Sequence, residues 1–438
     1  MKSNPDNTAW TFTPEHPTQI NSVAISDDGS RCVFGSSFER GDGVFYTYLF
    51  NGEGQSLQQH AIADGSSYQG VFWVAVSGDG RYYASGGETQ NPDPDQQSHQ
   101  PKPQQPGFLQ AYAADSGHCL LNVTRSDRIN QVSMSQDGRY LAVCYGHTVE
   151  VFILSGDNYQ SIFSDISPDF SLNSCQISDD GGTVVTSGIH YSDDSQVDSL
   201  RSRCPDTPAA TDSQTTTGQI NAFHINGTAA TLVGSCDVDS GCMRVAVVDD
   251  GSQWAVSLHD GSCGLVLANA PTALAWRCRP DNPDLELAYA VAISKTEQGD
   301  VYVACGANQK NNNSGGLLYL VQSVRMVYDN TDDSPYPPAY FKGVIQWSQN
   351  TEFGVNPGVS LDQNAHYVTA TDGKPKGKTV KESKGNFYLF EVANGQKIWQ
   401  YQTNQMNWPM QLADDGLSVI GGSDNGSVYY WKLKSDQP

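Results

Sequence analysis

NSVAISDDGSRCVFGSS, residues 21–37, is an alternating apolar stretch, a tight acidic-glycine turn, and a second alternating stretch ending in small residues. Close copies follow: FWVAVSGDGRYYASGG from Phe72, NQVSMSQDGRYLAVCYG from Asn130, NSCQISDDGGTVVTSG from Asn173 and CMRVAVVDDGSQWAVSL from Cys242. Three looser ones complete the series: YAVAISKTEQGDVYVACG from Tyr289, PGVSLDQNAHYVTATDG from Pro357 and WPMQLADDGLSVIGGSDNG from Trp408. Alternation on both sides of an Asp-Gly pair predicts a two-residue β-hairpin with positive φ at its turn. Repetition at tens of residues predicts units that bury their faces only by stacking on neighbours, as in a solenoid or propeller.

Outside each hairpin lie two further alternating segments. The third is VFYTYLF from Val44, FLQAYAA from Phe108 or SVYYWKL from Ser427; the fourth is CLLNVTR from Cys119 or KIWQYQT from Lys397. Each unit therefore reads as a four-stranded antiparallel blade, its strands A to D in chain order. The eighth unit stops near Lys434 without a fourth segment, while AWTFTPE from Ala9 looks like KIWQYQT. A ring with open edges invites aggregation, and donating the N-terminal segment to the last blade closes it. The expected fold is all-β: an eight-bladed propeller latched around Trp10, with residues 1–438 as one domain. A seven-bladed ring with one decayed copy is the alternative.

The S-x-DG-x-x-x-A-x-G run, followed by a G-x-V-x-x-aromatic strand, resembles the WD-repeat and YVTN-type propellers. FEVANGQKIWQYQ, and more weakly AYAADSGHCLL, is similar to the repeat of quinoprotein-like propellers. The resemblance spans nearly the whole chain and implies architecture, since such repeats host unrelated functions. Quinoprotein dehydrogenases of that kind use adjacent cysteines, and no two cysteines are adjacent here.

Forty-eight acidic against 25 basic residues give a formal charge of −23, which disfavours nucleic acid as a partner. No apolar run approaches the roughly 18 residues of a membrane span. Phosphate-binding loops, G-x-S-x-G elbows and H-E-x-x-H motifs are absent from the sequence. An even total of ten cysteines, few lysines and polar loops favour a secreted or periplasmic location. Expected disulfides are Cys236–Cys242, Cys263–Cys278 and Cys204 with Cys175.

The units differ most between their second and third strands. Insertions fall at 90–106, 190–217, 307–316 and 371–385, all at one hairpin position, so they rise from one face, and insertions on one face mark a binding side. On that face Glu88 and Asp260 take similar rim positions, and Lys374, Lys376 and Lys378 begin a run holding five of the thirteen lysines. His147, His190 and His259 end the second strand of units three, four and five. Converging neutral imidazoles would suit a transition metal, and the acidic turns at Asp237 and Ser423 would suit calcium.

The expected function is a non-catalytic, monomeric scaffold that binds a protein, peptide or glycan through its loop-rich face without a cofactor. The competing expectation is a metal-dependent oxidoreductase or hydrolase with its histidine site near the channel. A site built from the starts of the innermost strands of several blades is a third arrangement that one sequence does not resolve.

Overall fold

In the computed structural model the described residues are 8–15, 18–38, 44–62, 68–89, 106–191, 216–309, 315–327, 339–374 and 383–433. They contain β-strands and no helix. Eight strands A face the axis: Gln19–Ile25, Tyr68–Val76, Ile129–Met134, Ser171–Ile177, Cys242–Val247, Leu285–Lys295, Val355–Leu361 and Asn407–Leu412. Each packs against strand A of the next blade, and the eighth packs back on the first. Outward from each, three antiparallel strands complete a blade. Blades one and two are joined further by a bridge between Ser37 and Gly70. The ring has eight blades; the seven-bladed alternative does not occur.

The N-terminal latch forms where the sequence predicts it. Trp10–Phe12 pairs antiparallel with Val428–Lys432, bringing Trp10 opposite Tyr430 and Phe12 opposite Val428. Phe12 reaches across to Phe34, Tyr48 and Phe50 of blade one. The same short strand thus completes the last blade and seals it to the first.

The hairpin between strands A and B is longer than the two-residue turn expected. The Ser26 N–H bonds to the Arg31 carbonyl, and the Gly29 N–H bonds to the Ser26 carbonyl, leaving four residues in the connection. Gly29 takes φ +67°, where an L side chain is costly. Ser26 Oγ donates to Asp28 at 2.8 Å and accepts from the Arg31 N–H at 3.0 Å. Asp28 also receives the Ser30 N–H at 2.9 Å. Ser77–Asp79, Ser135–Asp137 and Ser178–Asp180 repeat this lock. The S-x-D-G motif is therefore a turn clasp: its second carboxylate is consumed locally, while the residue before it stays free to face the axis.

Small residues on strand B let the next blade approach. A Cβ at Gly35 would overlap Val71, and one at Gly86 would overlap Ile129. The core is accordingly a series of interblade layers, such as Leu265, Trp276, Val303 and Tyr319 between blades five and six.

The expected disulfides do not form among the described residues, where nine cysteines are free thiols. Cys263 and Cys278 do lie opposite each other on neighbouring strands. Yet the Cys263 thiol packs in the core layer that also holds Cys305, and Cys175 Sγ donates to the Gln131 carbonyl at 3.7 Å, each across a blade interface. Burial pushes both thiols well above the usual range, so they act as small core groups. Cys204 lies outside the described residues.

Candidate functional site

Strand A is an edge strand, and its outer hydrogen-bonding groups would face the axis unpaired. Short polar side chains of neighbouring blades satisfy many of them. Ser133 Oγ accepts the Ile177 N–H, Ser174 Oγ the Val245 N–H, and Gln176 Oε1 the Val247 N–H. Ser360 and Gln411 do the same for Leu412 and Ile25. These residues line an axial cavity of about 320 Å³ to which all eight blades contribute. Its two ends differ in charge.

At the hairpin end, backbone hydrogen bonds run from blade to blade. Asp27 N–H bonds to the Gly78 carbonyl, Asp79 to Gln136, Gln136 to Asp179, and Asp180 to Asp249. Gln363 bonds to Asp414 and Asp415 to Asp27 in the same way. The belt places Asp27, Asp179, Asp249 and Asp414 on the cavity wall. Burial, then repulsion from Asp249, Asp27 and Asp180, pushes the Asp179 carboxyl up to about 7. Burial, then Asp27, Asp179, Asp249 and Asp362, pushes Asp414 up to about 8. Gln363 Nε2 donates to Asp249 at 3.1 Å. Lys295, at the matching place in blade six, turns to Asp250 at 2.6 Å.

At the loop-rich end a β-bulge interrupts the pairing of strand A with strand B in blade after blade, between Ile20 and Ser22, Val71 and Trp73, Leu172 and Ser174, and Cys242 and Arg244. Such bulges re-aim side chains. The level they set carries Ser22, Trp73, Gln131, Ser174, Arg244, Ala290, Gly358 and Pro409 (the alignment of the copies). Most are small; Trp73 and Arg244 are not. The Arg244 guanidinium lies 4.9 Å from the ring centre of Trp73, which comes from three blades away, and 5.6 Å from that of Tyr289 in blade six. Its Nη1 donates to the Asn173 carbonyl at 2.9 Å. Its Nε is buried without a partner. Each cation–π contact contributes about 0.5–2 kcal/mol depending on desolvation. Farther out, Arg128 lies 4.0 Å over Phe72 and 4.0 Å from Glu88.

The histidines occupy the same face but not one point. His147 Nδ1 donates to the Phe170 carbonyl at 2.8 Å, and His190 Nδ1 to the Asp169 carbonyl at 2.7 Å, so each is tied to backbone of the same loop. His259 belongs to the next blade, where its backbone N–H bonds to the Gly241 carbonyl. Among the described residues no three His, Cys, Asp or Glu side chains are grouped to hold a metal ion. Asp260 bonds to Arg277 at 2.7 Å, and Arg277 reaches Asp239 at 2.5 Å. Against burial, which acts the other way, Ser262 and Arg277 hold the Asp260 carboxyl below its usual value. Glu88 approaches Arg128. Lys374 stands opposite Lys384 in the strand pairing; Lys376 and Lys378 lie outside the described residues.

Trp73, Arg244, Tyr289 and the aspartate belt were not singled out by motif. The repeat columns carry the signal for Trp73, Arg244 and the aspartates, because the residue before most clasp aspartates and the residue after most bulges line the cavity; Tyr289, the bulged residue before Ala290, has no such column.

No protein-family model and no curated protein matches the chain. Among solved structures it is similar to Sqt1 of Chaetomium thermophilum, with a TM-score of 0.61 and 13% identity over 98% of both chains. The β-propeller domain of Cps50 (Swd1) of Myceliophteria thermophila also matches, with a TM-score of 0.49 and 11% identity over 83% of this chain and 96% of that one. The fold is an eight-bladed β-propeller.

Proposed function

We propose that the molecule is a binding scaffold that recognises a protein partner at the loop-rich end of its axial channel. The observation that supports this most is the make-up of that end. Trp73, Tyr289 and Trp408 are half-buried on strands A of blades two, six and eight, with Arg244 and Arg128 stacked against aromatic rings. Tryptophan, tyrosine and arginine are the residue types that dominate binding hot spots, and they do so when clustered and shielded from water. The opposite end presents aspartates and turn clasps, which an interface core excludes.

Proximity labelling and cross-linking of the intact protein in its native extract test the reading. Partners captured by the wild type are expected to be lost on Trp408→Ala and Arg128→Ala and retained on Asp28→Asn at the far end. Equal capture by all four proteins would place recognition elsewhere.

A further inference from the structure

We infer that Arg244 is an anchor for a single carboxylate of a bound polypeptide, taken either from an acidic side chain or from a chain end. This deepens the proposed binding role and rests on it. Among the described residues lining the channel, Arg244 is the one basic side chain. Among the described residues it has no ion-pair partner, although acidic residues outnumber basic ones almost two to one. One of its five N–H groups meets a carbonyl, while Nε is buried and unmet. A buried donor without an acceptor is costly, and a protein that needed only bulk there would place an apolar side chain.

The surroundings favour an incoming anion over an internal one. Trp73 and Tyr289 hold the guanidinium by its face, and stacking of this kind leaves the rim of the plane, where the N–H groups point, available for a two-pronged bond to a carboxylate. At the same level on the cavity wall the flanking blades present Ser174 and Ala290, both small, which leaves space beside it. The nearby Cys175 thiol stays protonated, because burial raises it, and does not neutralise the arginine. Arg244 pairs in register with Ser257, near the end of strand B from which the loop-rich face rises, so a ligand reaches it from that face. The aspartate belt begins five residues further along the strand, about 16 Å away at strand rise. It disfavours a polyanion in the channel, and a lone carboxylate among neutral residues is the chemistry that remains.

Three acetylated pentapeptides of glycine and leucine test this on the intact protein: one with a free carboxyl end, one amidated, and one amidated with a single internal glutamate. Binding is followed by tryptophan emission and by the Arg244 Nε–H signal in NMR, assigned from its loss in Arg244→Gln. Carboxylate-bearing peptides are expected to shift that signal and the amidated one not to, and whichever of the two binds tighter names the source. Arg244→Gln should weaken binding by about tenfold or more, with Arg244→Lys between, since a charge-assisted hydrogen bond is lost. Should Arg244→Gln not fold, the wild-type signal decides alone, assigned through Trp73→Phe, which moves the ring current over it. Equal binding with and without a carboxylate, no effect of Arg244→Gln, or no binding by the wild type would overturn the assignment. Loss of partner capture on Arg128→Ala with an unaffected Arg244→Gln would leave the scaffold reading standing and remove this one.

Discussion

The indole of Trp10 lies flat on the ring of Tyr430, with centroids 5.0 Å apart and planes 8° from parallel. The Tyr430 hydroxyl in turn hydrogen-bonds with that of Ser418 at 2.8 Å and donates to the Gly29 carbonyl of blade one at 3.2 Å. Trp10 also donates its Nε1–H to Gly52 at 3.3 Å. The closure of the ring therefore draws on the Trp10–Tyr430 stack together with the contacts of Trp10 and Phe12 to blade one.

Replacing Trp10 by alanine removes that stack and exposes strand Val428–Lys432. The side chain is half-buried, so the cost is set at about 2 kcal/mol, below the 3–5 kcal/mol of a fully buried tryptophan. Urea unfolding should show the lowered midpoint, and light scattering should show self-association through the opened edge.

The aspartate belt makes stability depend on pH. Asp179 and Asp414 titrate in the fold at about 7 and about 8, above the ordinary 3.8, so the native state holds more protons than the unfolded chain. Stability from these groups is fully present below the ordinary value and is lost as pH rises through 7 and 8. Melting temperature should therefore fall from about pH 4 to about pH 8 and level off above that. Asp414→Asn should flatten that fall, matching the wild type below about pH 4 and exceeding it at pH 9. A wild-type profile that rises across this interval would contradict the assignment.

Blade seven carries alanine where the other regular hairpins carry glycine. Ala365 takes φ +53° and still closes the turn through the Asp362 carbonyl. An L residue in that region is strained by roughly 1–2 kcal/mol, partly offset by the greater chain entropy that glycine gives the unfolded state. Ala365→Gly should raise stability by about 0.5–1 kcal/mol in chemical denaturation.

Free thiols predict insensitivity to reductant. Thermal melting should be the same with and without dithiothreitol, and a thiol reagent should label Cys119, the exposed one among the described residues, well before the buried cysteines. A melting temperature lowered by reductant would reveal a bridge.

The ring, its blade count and its latch were legible in the sequence because each rests on patterns that repeat. Alternation fixes which residues face the interblade layers, and AWTFTPE is recognisable by likeness to segments that already have a place. The turn was legible only in outline. Asp-Gly suggested two residues, but Ser26 and Asp28 bond to each other and widen the connection to four. The cysteines misled because a buried thiol and a bridged one occupy similar positions in a strand. The histidines shared a sequence column yet were held apart, His147 and His190 gripping a loop and His259 one blade on. Arg244 and Trp73 carry no motif; what brings them together is curvature around an axis, which appears only when the blades are laid side by side.

The bulge that turns Trp73 and Arg244 toward the axis has a consequence for diversification. Folding information resides in the clasps, layers and latch, whereas the eight post-bulge positions form an inner crown that the scaffold tolerates in many compositions. Serine, glutamine, alanine, glycine, proline, tryptophan and arginine all occupy it in this one molecule. Rewriting that crown would retune what the axis accepts while the surrounding wheel stays as it is.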